Sequence, residues 1–376
     1  MMRDIRYISG TRADYGLMRE TLRAINHHPN LRLSLLVTGM HLDPAYGATV
    51  HEIEADGFHI SGTIASAEDQ ASGSAMARGI ARMITGFTDA LEKNRPDLVV
   101  LLGDRGEMLA GAIAAIHLDL PIAHIHGGER SGTVDEPVRH AISKLSHYHF
   151  TATAEAAQRL RHMGELTERI FQVGAPGLVG LTASASHNRV TLAAEVGFDP
   201  TRPIALFVYH PVLQEATTAG DIAASILDLL RRQGFQIIAL KPNSDGGSDH
   251  IRTILETCSG LPDIRVVTHL PRDSFISWMA VADVMIGNSS AGIIEAASFG
   301  TPVINVGMRQ NFRQRNANVI DVEANALNLD AALQDVVRKG RFPIANIYGD
   351  GMSNTRIADL LASVPINGVT WKFNAY

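Results

Sequence analysis

Imidazole and carboxylate side chains are concentrated in two short segments of this 376-residue chain, HIHGGE at 124–129 and DEPVRH at 135–140. Neighbouring carboxylates shift one another's pKa, so His126, Glu129 and Asp135 are candidates for general acid–base chemistry. A hydrogen-bonded polar loop is the plainer interpretation, and a mononuclear zinc site is a third. No His-x-x-x-His pair or cysteine set accompanies these segments, so we expect no metal.

A second group of polar residues follows apolar runs that have the composition of β-strands. Asp104 and Arg105 come after the run Leu98–Leu102, and His210 comes after the run Ile204–Val208. In a parallel sheet, such positions lie at the carboxyl ends of the strands and face the ligand cleft. A helix N-cap is the alternative role for Asp104, and a structural role is the alternative for His210.

Two glycine-containing turns have the composition of anion-binding sites. GTRADYG at 10–16 follows the first apolar run and offers Arg12 as a planar cationic donor. GNSSAG at 287–292 supplies Ser289 and Ser290 at a predicted helix start. Free backbone amides and the positive end of a helix dipole bind phosphate at such junctions. An ordinary loop and a serine N-cap are the alternatives.

Charged residues follow the second turn. Glu295, about one helical turn later, could accept hydrogen bonds from two adjacent ribose hydroxyls. Arg309, Arg313 and Arg315 add positive charge nearby, although arginines in such a run can equally form a solvated face. An anion site, a carboxylate cluster and a second anion site therefore all fall at the ends of predicted strands.

Short apolar runs alternate with longer amphipathic stretches, which is typical of an α/β protein with βαβ units and parallel sheets. The predicted strands are Ile5–Ser9, Leu33–Thr38, Leu98–Leu102, Ile122–Ile125, His149–Ala152, Ile204–Val208, Gln236–Ala239, Ile264–Thr268, Val284–Ile286 and Val303–Val306. The predicted helices are Tyr15–Asn26, Ala75–Asn94, Glu107–Leu118, Val138–Leu145, Ala219–Gln233, Asp249–Cys258, Ser274–Val281, Gly292–Ser298 and Asn354–Leu361. A linker is expected near 175–200, between Rossmann-like domains at 1–180 and 181–352. The helix and tail at 353–376 are expected to pack back on the first domain.

Composition limits the functional classes. The chain is 45% hydrophobic and 19% charged, with a formal net charge of −6. It has no basic surplus to neutralise a nucleic-acid backbone, and its apolar runs are too short to cross a bilayer. Its single cysteine, Cys258, cannot form an internal disulfide, and no secretory signal pattern precedes the first strand. We therefore expect a cytoplasmic protein that binds neither nucleic acid nor membrane.

Taken together, these motifs resemble the hydrolysing UDP-N-acetylglucosamine 2-epimerases from residue 5 to about residue 358. The resemblance is carried by GTRADY at 10–15, VTGMH at 37–41, GDR at 103–105, HIHGGE at 124–129, Asp135 with RHAISK at 139–144, GNSS at 287–290 with Glu295, GTPVIN at 300–305 and YGDG at 348–351. The related non-hydrolysing epimerases carry Thr-Arg-Pro-Glu at the first loop and lack the Gly-Gly-Glu. This chain therefore resembles the hydrolysing branch.

The resemblance implies a GT-B-like fold, in which two Rossmann-like domains with parallel sheets face each other across the active-site cleft. It implies that UDP-N-acetylglucosamine and water are converted to N-acetylmannosamine and UDP through a 2-acetamidoglucal, at the start of sialic acid synthesis. It implies no cofactor. We expect a homo-oligomer, either a dimer or a tetramer.

The same resemblance implies roles for individual residues. Proton transfer and water activation fall to Asp104 and Asp135. Contacts to UDP come from Arg12, Arg105, His210 (also a catalytic candidate), Ser289, Ser290, Glu295 at the ribose, and Arg313. Many relatives carry a glutamate where His126 stands, so the proton role of that glutamate falls to His126 itself or to Glu129.

Other functions fit parts of the same pattern. The same reaction on UDP-N,N'-diacetylbacillosamine, for legionaminic acid synthesis, needs a pocket that accepts a C4 acetamido group. A GT-B glycosyltransferase needs an acceptor, and a non-catalytic sensor of UDP-sugars would bind without turnover. The carboxylates Asp104, Glu129 and Asp135 argue against the sensor. A periplasmic binding protein would need an export signal.

Overall fold

A computed structural model of the protein describes residues 2–44, 47–65, 72–131, 134–212, 217–242 and 247–376. Its strands are β1 (Arg3–Ser9), β2 (Leu31–Thr38), β3 (Ile60–Ile64), β4 (Leu98–Leu102), β5 (Ile122–Ile125), β6 (Tyr148–Thr151), β7 (Ile170–Gln172), β8 (Ile204–Val208), β9 (Gln236–Leu240), β10 (Ile264–Val267), β11 (Val284–Gly287), β12 (Val303–Val306) and β13 (Val319–Val322). Its helices are α1 (Arg12–His27), α2 (Val50–Ala55), α3 (Gly73–Lys93), α4 (Gly106–His117), α5 (Asp135–Leu145), α6 (Ala154–His162), α7 (Leu181–Ser184), α8 (Arg189–Val196), α9 (Ala219–Arg232), α10 (Ser248–Cys258), α11 (Arg272–Val281), α12 (Ser290–Ile294), α13 (Ala326–Lys339) and α14 (Ser353–Ser363).

The strands form two parallel sheets. The first has the order β3-β2-β1-β4-β5-β6-β7 and the second has the order β10-β9-β8-β11-β12-β13. In each sheet the chain starts near the middle and later crosses to the other side, which creates a switch point between β1 and β4 and another between β8 and β11. Ligands of such sheets bind outside the carboxyl ends of the strands at these points. The predicted α/β class with two parallel sheets is confirmed.

Burial explains which strands the apolar pattern predicted. Every residue of β4 (LVVLL) and of β8 (IALFV) is buried, because helices cover both faces of a parallel sheet. Both strands have their predicted bounds. The predicted helix Gly292–Ser298 instead divides into α12 and a 3₁₀ turn at Ala296–Phe299. The predicted helix Val138–Leu145 begins earlier, at Asp135.

The carboxyl-terminal segment lies against the first sheet's helices. Helix α14 packs on α1, and Ile357, Ala358 and Leu361 share a core cluster with Ile5 of β1. The tail beyond α14 is anchored by Lys372, whose Nζ lies 2.7 Å from Oε2 of Glu165. The predicted domain limits at 180 and 352 stay predictions. Among the described residues, no helix combines the length and the apolar character needed to cross a membrane.

Candidate active site

A cleft with a cavity of about 300 Å³ lies where the carboxyl ends of the two sheets face each other. The structure brings ten of the eleven predicted site residues to its lining: Arg12, Asp104, Arg105, His126, Glu129, His210, Ser289, Ser290, Glu295 and Arg313. Asp135, the first residue of α5, lies outside the lining that the described residues form. The cleft therefore joins the predicted acid–base group to both predicted anion sites.

Two carboxylates and two guanidinium groups form a network on the side of the first sheet. Arg139, which is 1% exposed, donates Nη2 to Asp104 and donates Nη1 to Oε2 of Glu129 at 3.0 Å. Arg313 reaches across the cleft from the second half, and its Nη1 lies 3.0 Å from the same Oε2. The buried Glu129 and the partly exposed Asp104 are thus held by two arginines, one from each half of the chain.

The loop between β5 and α5 depends on left-handed backbone. His126 has φ +63°, an uncommon value for a residue with a Cβ, and its N–H donates to Phe150 O at 3.0 Å. Gly128 has φ +77°, and a Cβ there would lie 2.3 Å from the carbonyl oxygen of Ala156. Gly128 therefore lets the loop pass close to α6. This path brings the Glu129 side chain back to Nδ1 of His126.

The charges around Glu129 set its ionisation. Burial by itself raises the pKa of this carboxyl group, but His126 and Arg313 more than offset that effect, so the pKa is lowered. Glu129 is therefore ionised at neutral pH. An ionised carboxylate accepts a hydrogen bond from Nδ1–H of His126, so Nε2 is the ring atom that is left to exchange a proton. The pair has the base-and-orienter arrangement of hydrolase triads.

The first predicted anion site differs from its sequence-based description. The amides of Gly10 and Thr11 donate to the Asp14 carboxylate at 3.0 and 2.6 Å, because Thr11 and Asp14 form a capping box on α1. The amides of Gly10 and Thr11 are therefore not free, and anion binding at this turn stays a prediction. Arg12 still lines the cleft, where Nη1 donates to Thr268 O at 2.8 Å and lies 2.7 Å from Nδ1 of His269.

The second predicted anion site lies beside His210. Asn288 accepts from the N–H of His210 through Oδ1 and donates to its carbonyl through Nδ2, both at 2.8 Å. Gly287 permits this approach, because a Cβ at that position would lie 2.0 Å from Val208 O. Ser289 is the N-cap of α12, as the alternative interpretation predicted, and accepts from Ala291 N–H at 3.3 Å.

Glu295 is 1% exposed and already has a cationic partner in the cleft. Arg272 donates both terminal nitrogens to its two carboxylate oxygens, the longer bond being 3.3 Å, and also donates to Gly177 O at 3.1 Å. Sequence reasoning missed Arg272 because no local pattern links the first residue of α11 to a carboxylate 23 positions later.

Other cleft residues were also missed. Arg139 begins the RHAISK motif, but the sequence analysis assigned it no role. It lies one helical turn after Asp135 and Glu136, and a cation at that spacing favours an ion pair. Glu52 and His269 form a pair across the cleft at 2.7 Å, and nothing in the sequence connects them. Within the described part of the chain, no three His, Cys, Asp or Glu side chains are grouped so as to hold a metal ion.

Comparison with known proteins decides the family. A sequence model described as UDP-N-acetylglucosamine 2-epimerase matches residues 23–362. The chain is 50% identical to the UDP-N,N'-diacetylbacillosamine 2-epimerase (hydrolyzing) of Legionella pneumophila, over the full length of both chains. This protein belongs to the hydrolysing UDP-N-acetylglucosamine 2-epimerase family. The family predicted from the motifs is confirmed, and the chain is an enzyme of this family.

Further relatives of this 2-epimerase differ in their named substrates. It is 34% identical to the UDP-N-acetylglucosamine 2-epimerase of Neisseria meningitidis serogroup B, over 100% of this chain and 98% of that one. The crystal structure of a UDP-GlcNAc 2-epimerase from Neisseria meningitidis bound to UDP-GlcNAc has a TM-score of 0.80 and 18% identity, over 95% of this chain and 99% of that one. The GT-B-like fold expected of this 2-epimerase is therefore confirmed.

Proposed function

We propose that this enzyme is a hydrolysing 2-epimerase that releases UDP from a UDP-2-acetamidohexose and inverts C2 of the sugar. The observation that carries the proposal is the single cleft, in which acid–base side chains of the first half face arginine and serine side chains of the second. The C2 hydrogen has no adjacent carbonyl to acidify it. Its removal therefore needs the leaving diphosphate to be stabilised while a base acts on the sugar.

The reaction divides into two balanced steps. In the first, the bond between C1 and the diphosphate breaks, the C2 proton passes to a base, and 2-acetamidoglucal and UDP form. In the second, water adds to C1 and a proton returns to C2 from the opposite face. The proposed diphosphate contacts come from both halves of the chain. Arg12, His210, Ser289, Ser290 and Arg313 hold the diphosphate, with Arg105 beside them, and Glu295 contacts the ribose next to Arg272.

The proton transfers belong to side chains of the first half of the chain. We assign the base that many relatives supply as glutamate to His126, because the ionised Glu129 fixes its ring through Nδ1. Glu129 is then the positioning partner of His126, and Asp104 and Asp135 take the remaining proton transfer and the activation of water. Asp104 suits this role because it lines the cleft while bonded to Arg139.

The donor sugar is the finer part of the proposal. The 50% identity over the whole chain to an enzyme named for UDP-N,N'-diacetylbacillosamine favours that donor, whose product leads to legionaminic acid. UDP-N-acetylglucosamine, the first expectation from the motifs, is the second candidate. The 34% identity to an enzyme named for it supports that choice. It would yield N-acetylmannosamine for sialic acid synthesis.

The deciding experiment incubates the full-length enzyme with each donor separately and follows UDP release and the sugar's C2 configuration by NMR. In D₂O, deuterium should appear at C2 of the product. We expect kcat/KM for UDP-N,N'-diacetylbacillosamine to exceed that for UDP-N-acetylglucosamine by at least about tenfold. The opposite ratio identifies UDP-N-acetylglucosamine as the preferred donor. Absence of UDP release from either donor without an acceptor sugar refutes the proposed function and favours a glycosyltransferase.

A further inference from the structure

One buried histidine behind the cleft has contacts that the proposed roles do not use. His124 of β5 is fully buried, and it lies outside the described lining of the cleft. Its two ring nitrogens bond to two different segments, the turn after β4 and helix α5. The first of these segments carries Asp104 and the second carries Arg139.

The first contact fixes the peptide group of the turn. Nε2 of His124 lies 2.7 Å from Gly103 O, and a carbonyl oxygen only accepts, so Nε2 carries the hydrogen. The N–H of Gly103 donates to Ile125 O at 3.0 Å. Both peptide groups of Gly103, which has φ +83°, are therefore bonded to β5. The second of these groups contains the backbone nitrogen of Asp104.

The second contact ties the same ring to α5. Nδ1 of His124 lies 3.0 Å from Oγ of Ser143. Burial lowers the pKa of His124 to about 3, so the ring is neutral at physiological pH and its Nδ1 is an acceptor. The Ser143 hydroxyl is then the donor. Ser143 is fully buried and stands one helical turn after Arg139.

The glycine at position 127 leaves room for this pair. A Cβ there would lie 3.0 Å from Nδ1 of His124 and 3.0 Å from Oγ of Ser143. Such contacts are tighter than ordinary van der Waals packing and would push the ring or the hydroxyl away. Glycine at position 127 therefore leaves the His124–Ser143 hydrogen bond undisturbed.

We propose that His124 is a positioning residue of the epimerase, which holds the peptide group of Asp104 in fixed register with Arg139 on α5. This proposal rests on the proposed function, because it concerns the proton-transfer role of Asp104. A carboxylate misplaced by about 1 Å loses roughly 100-fold in rate without any change in the groups that bind the substrate. His124 acts on turnover through Asp104 and leaves the diphosphate contacts unchanged.

The first test compares two replacements of the ring. His124→Met removes both hydrogen bonds at a similar volume, whereas His124→Gln can keep a donor near the position of Nε2. With UDP release as the assay, His124→Met is expected to lower kcat about 100-fold. The KM and the Kd for UDP are expected to stay within about threefold. His124→Gln is expected to recover about tenfold of that loss.

A matched pair of serines, one in the last turn of α5 and one directly after it, separates positioning from general loss of packing. Ser143 and Ser146 are both fully buried, and the carbonyls of both accept from Lys372 Nζ. Only the hydroxyl of Ser143 bonds to His124, since Ser146 donates its hydroxyl to Ile142 O. Ser143→Ala is expected to lower kcat about tenfold, and Ser146→Ala is expected to stay within about twofold.

A double-mutant cycle tests whether His124 acts through Asp104. In the Asp104→Asn background, His124→Met is expected to change kcat by less than about threefold, because the group it positions no longer ionises. Fully additive losses, or equal losses from Ser143→Ala and Ser146→Ala, overturn the proposal. If His124→Met does not fold, His124→Gln and the two serine variants test the positioning role instead. Wild-type turnover in both His124→Gln and Ser143→Ala then refutes it.

The imidazole ¹⁵N shifts of the wild-type enzyme test the geometry without any variant. We expect His124 to be the neutral Nε2–H tautomer from pH 5 to pH 9. A protonated ring or the Nδ1–H tautomer overturns the positioning proposal, even if the enzyme releases UDP normally. Conversely, an enzyme that releases no UDP from either donor but shows this tautomer refutes the proposed function alone.

Discussion

Replacing Asp104 by asparagine separates its proton-transfer role from its structural role. Asparagine keeps the volume and one acceptor oxygen for Arg139, but it cannot ionise or exchange a proton. Arg139 is 1% exposed in its side chain, whereas Asp104 is 22% exposed. The substitution therefore removes one negative charge from a buried arginine and one acid–base group from the cleft.

The expected magnitudes differ for stability and for turnover. Breaking a fully buried ion pair costs about 3–5 kcal/mol, but Arg139 retains Glu129 at 3.0 Å and Asp104 is partly solvated. We therefore expect a stability loss of only about 1–2 kcal/mol. Loss of a positioned acid–base group lowers kcat by about 10²–10⁴-fold, which corresponds to about 2.7–5.5 kcal/mol of activation free energy. Affinity for UDP should hardly change.

Asp56 offers a matched control outside the described lining of the cleft. Its side chain is 8% exposed and pairs with Arg19 at 2.5 Å and with Arg23 at 3.0 Å. Asp56→Asn should lower the thermal midpoint as Asp104→Asn does, yet leave UDP release per folded molecule unchanged. Denaturation scans, calorimetric UDP titration and UDP release provide the three measurements. If Asp104→Asn loses UDP affinity in proportion to kcat, or if Asp56→Asn loses as much turnover, the assigned role of Asp104 is wrong.

Three further predictions concern the loop after β5 and the carboxyl-terminal anchor. His126→Gln should lower kcat by about 10²–10⁴-fold in the UDP-release assay, whereas His126→Glu, which restores a carboxyl group as the base, should retain activity; wild-type turnover of His126→Gln assigns the base elsewhere. Gly128→Ala should destabilise the fold by about 3 kcal/mol through its backbone overlap. Gly57→Ala has the same φ of +77° but open space, and should cost about 1 kcal/mol; equal losses in denaturant titrations contradict this reasoning. Glu165 has its pKa lowered to about 2, since His149, Lys144 and Lys372 outweigh burial, which alone raises it. The contribution of ionised Glu165 to stability is therefore lost as pH falls from about 4.5 towards 2. Glu165→Gln should make the free energy of unfolding less dependent on pH across that range, and an unchanged pH dependence contradicts the assignment.

Apolar runs predicted the interior strands but not three strands at the sheet edges. Strands β3, β7 and β13 each lie at an edge, and most of their residues are only partly buried or are exposed. An edge strand has a neighbour on one side only, so its sequence need not be continuously apolar. Helix α13 follows β13 directly in the chain. Without a predicted strand before it, its amphipathic stretch did not belong to a recognisable βαβ unit.

Strand ends also explain why so much of the cleft was predictable. Asp104, His126 and His210 each stand just beyond a strand that the sequence shows clearly. Parallel strands bring their carboxyl ends to one edge of a sheet, so Asp104 and His126 of the first sheet had to lie near each other. His210 follows a strand of the second sheet and joins them because the carboxyl ends of the two sheets face each other. The capping box of Thr11 and Asp14 is equally local in sequence. The same turn could bind a phosphate or cap α1, and the position of the Asp14 carboxylate shows the cap.

The sequence by itself determined the two parallel sheets, the family and most of the side chains at the cleft, because these depend on periodicity and on short motifs. Only the tertiary structure decided which charges meet. Arg313 forms an ion pair with Glu129, Arg12 contacts His269, and Arg272 forms an ion pair with Glu295. Two of these pairs join residues more than 180 positions apart, one from each half of the chain. Electrostatic pairing depends on separations of a few ångströms, which follow from how the two sheets face each other and not from any local pattern.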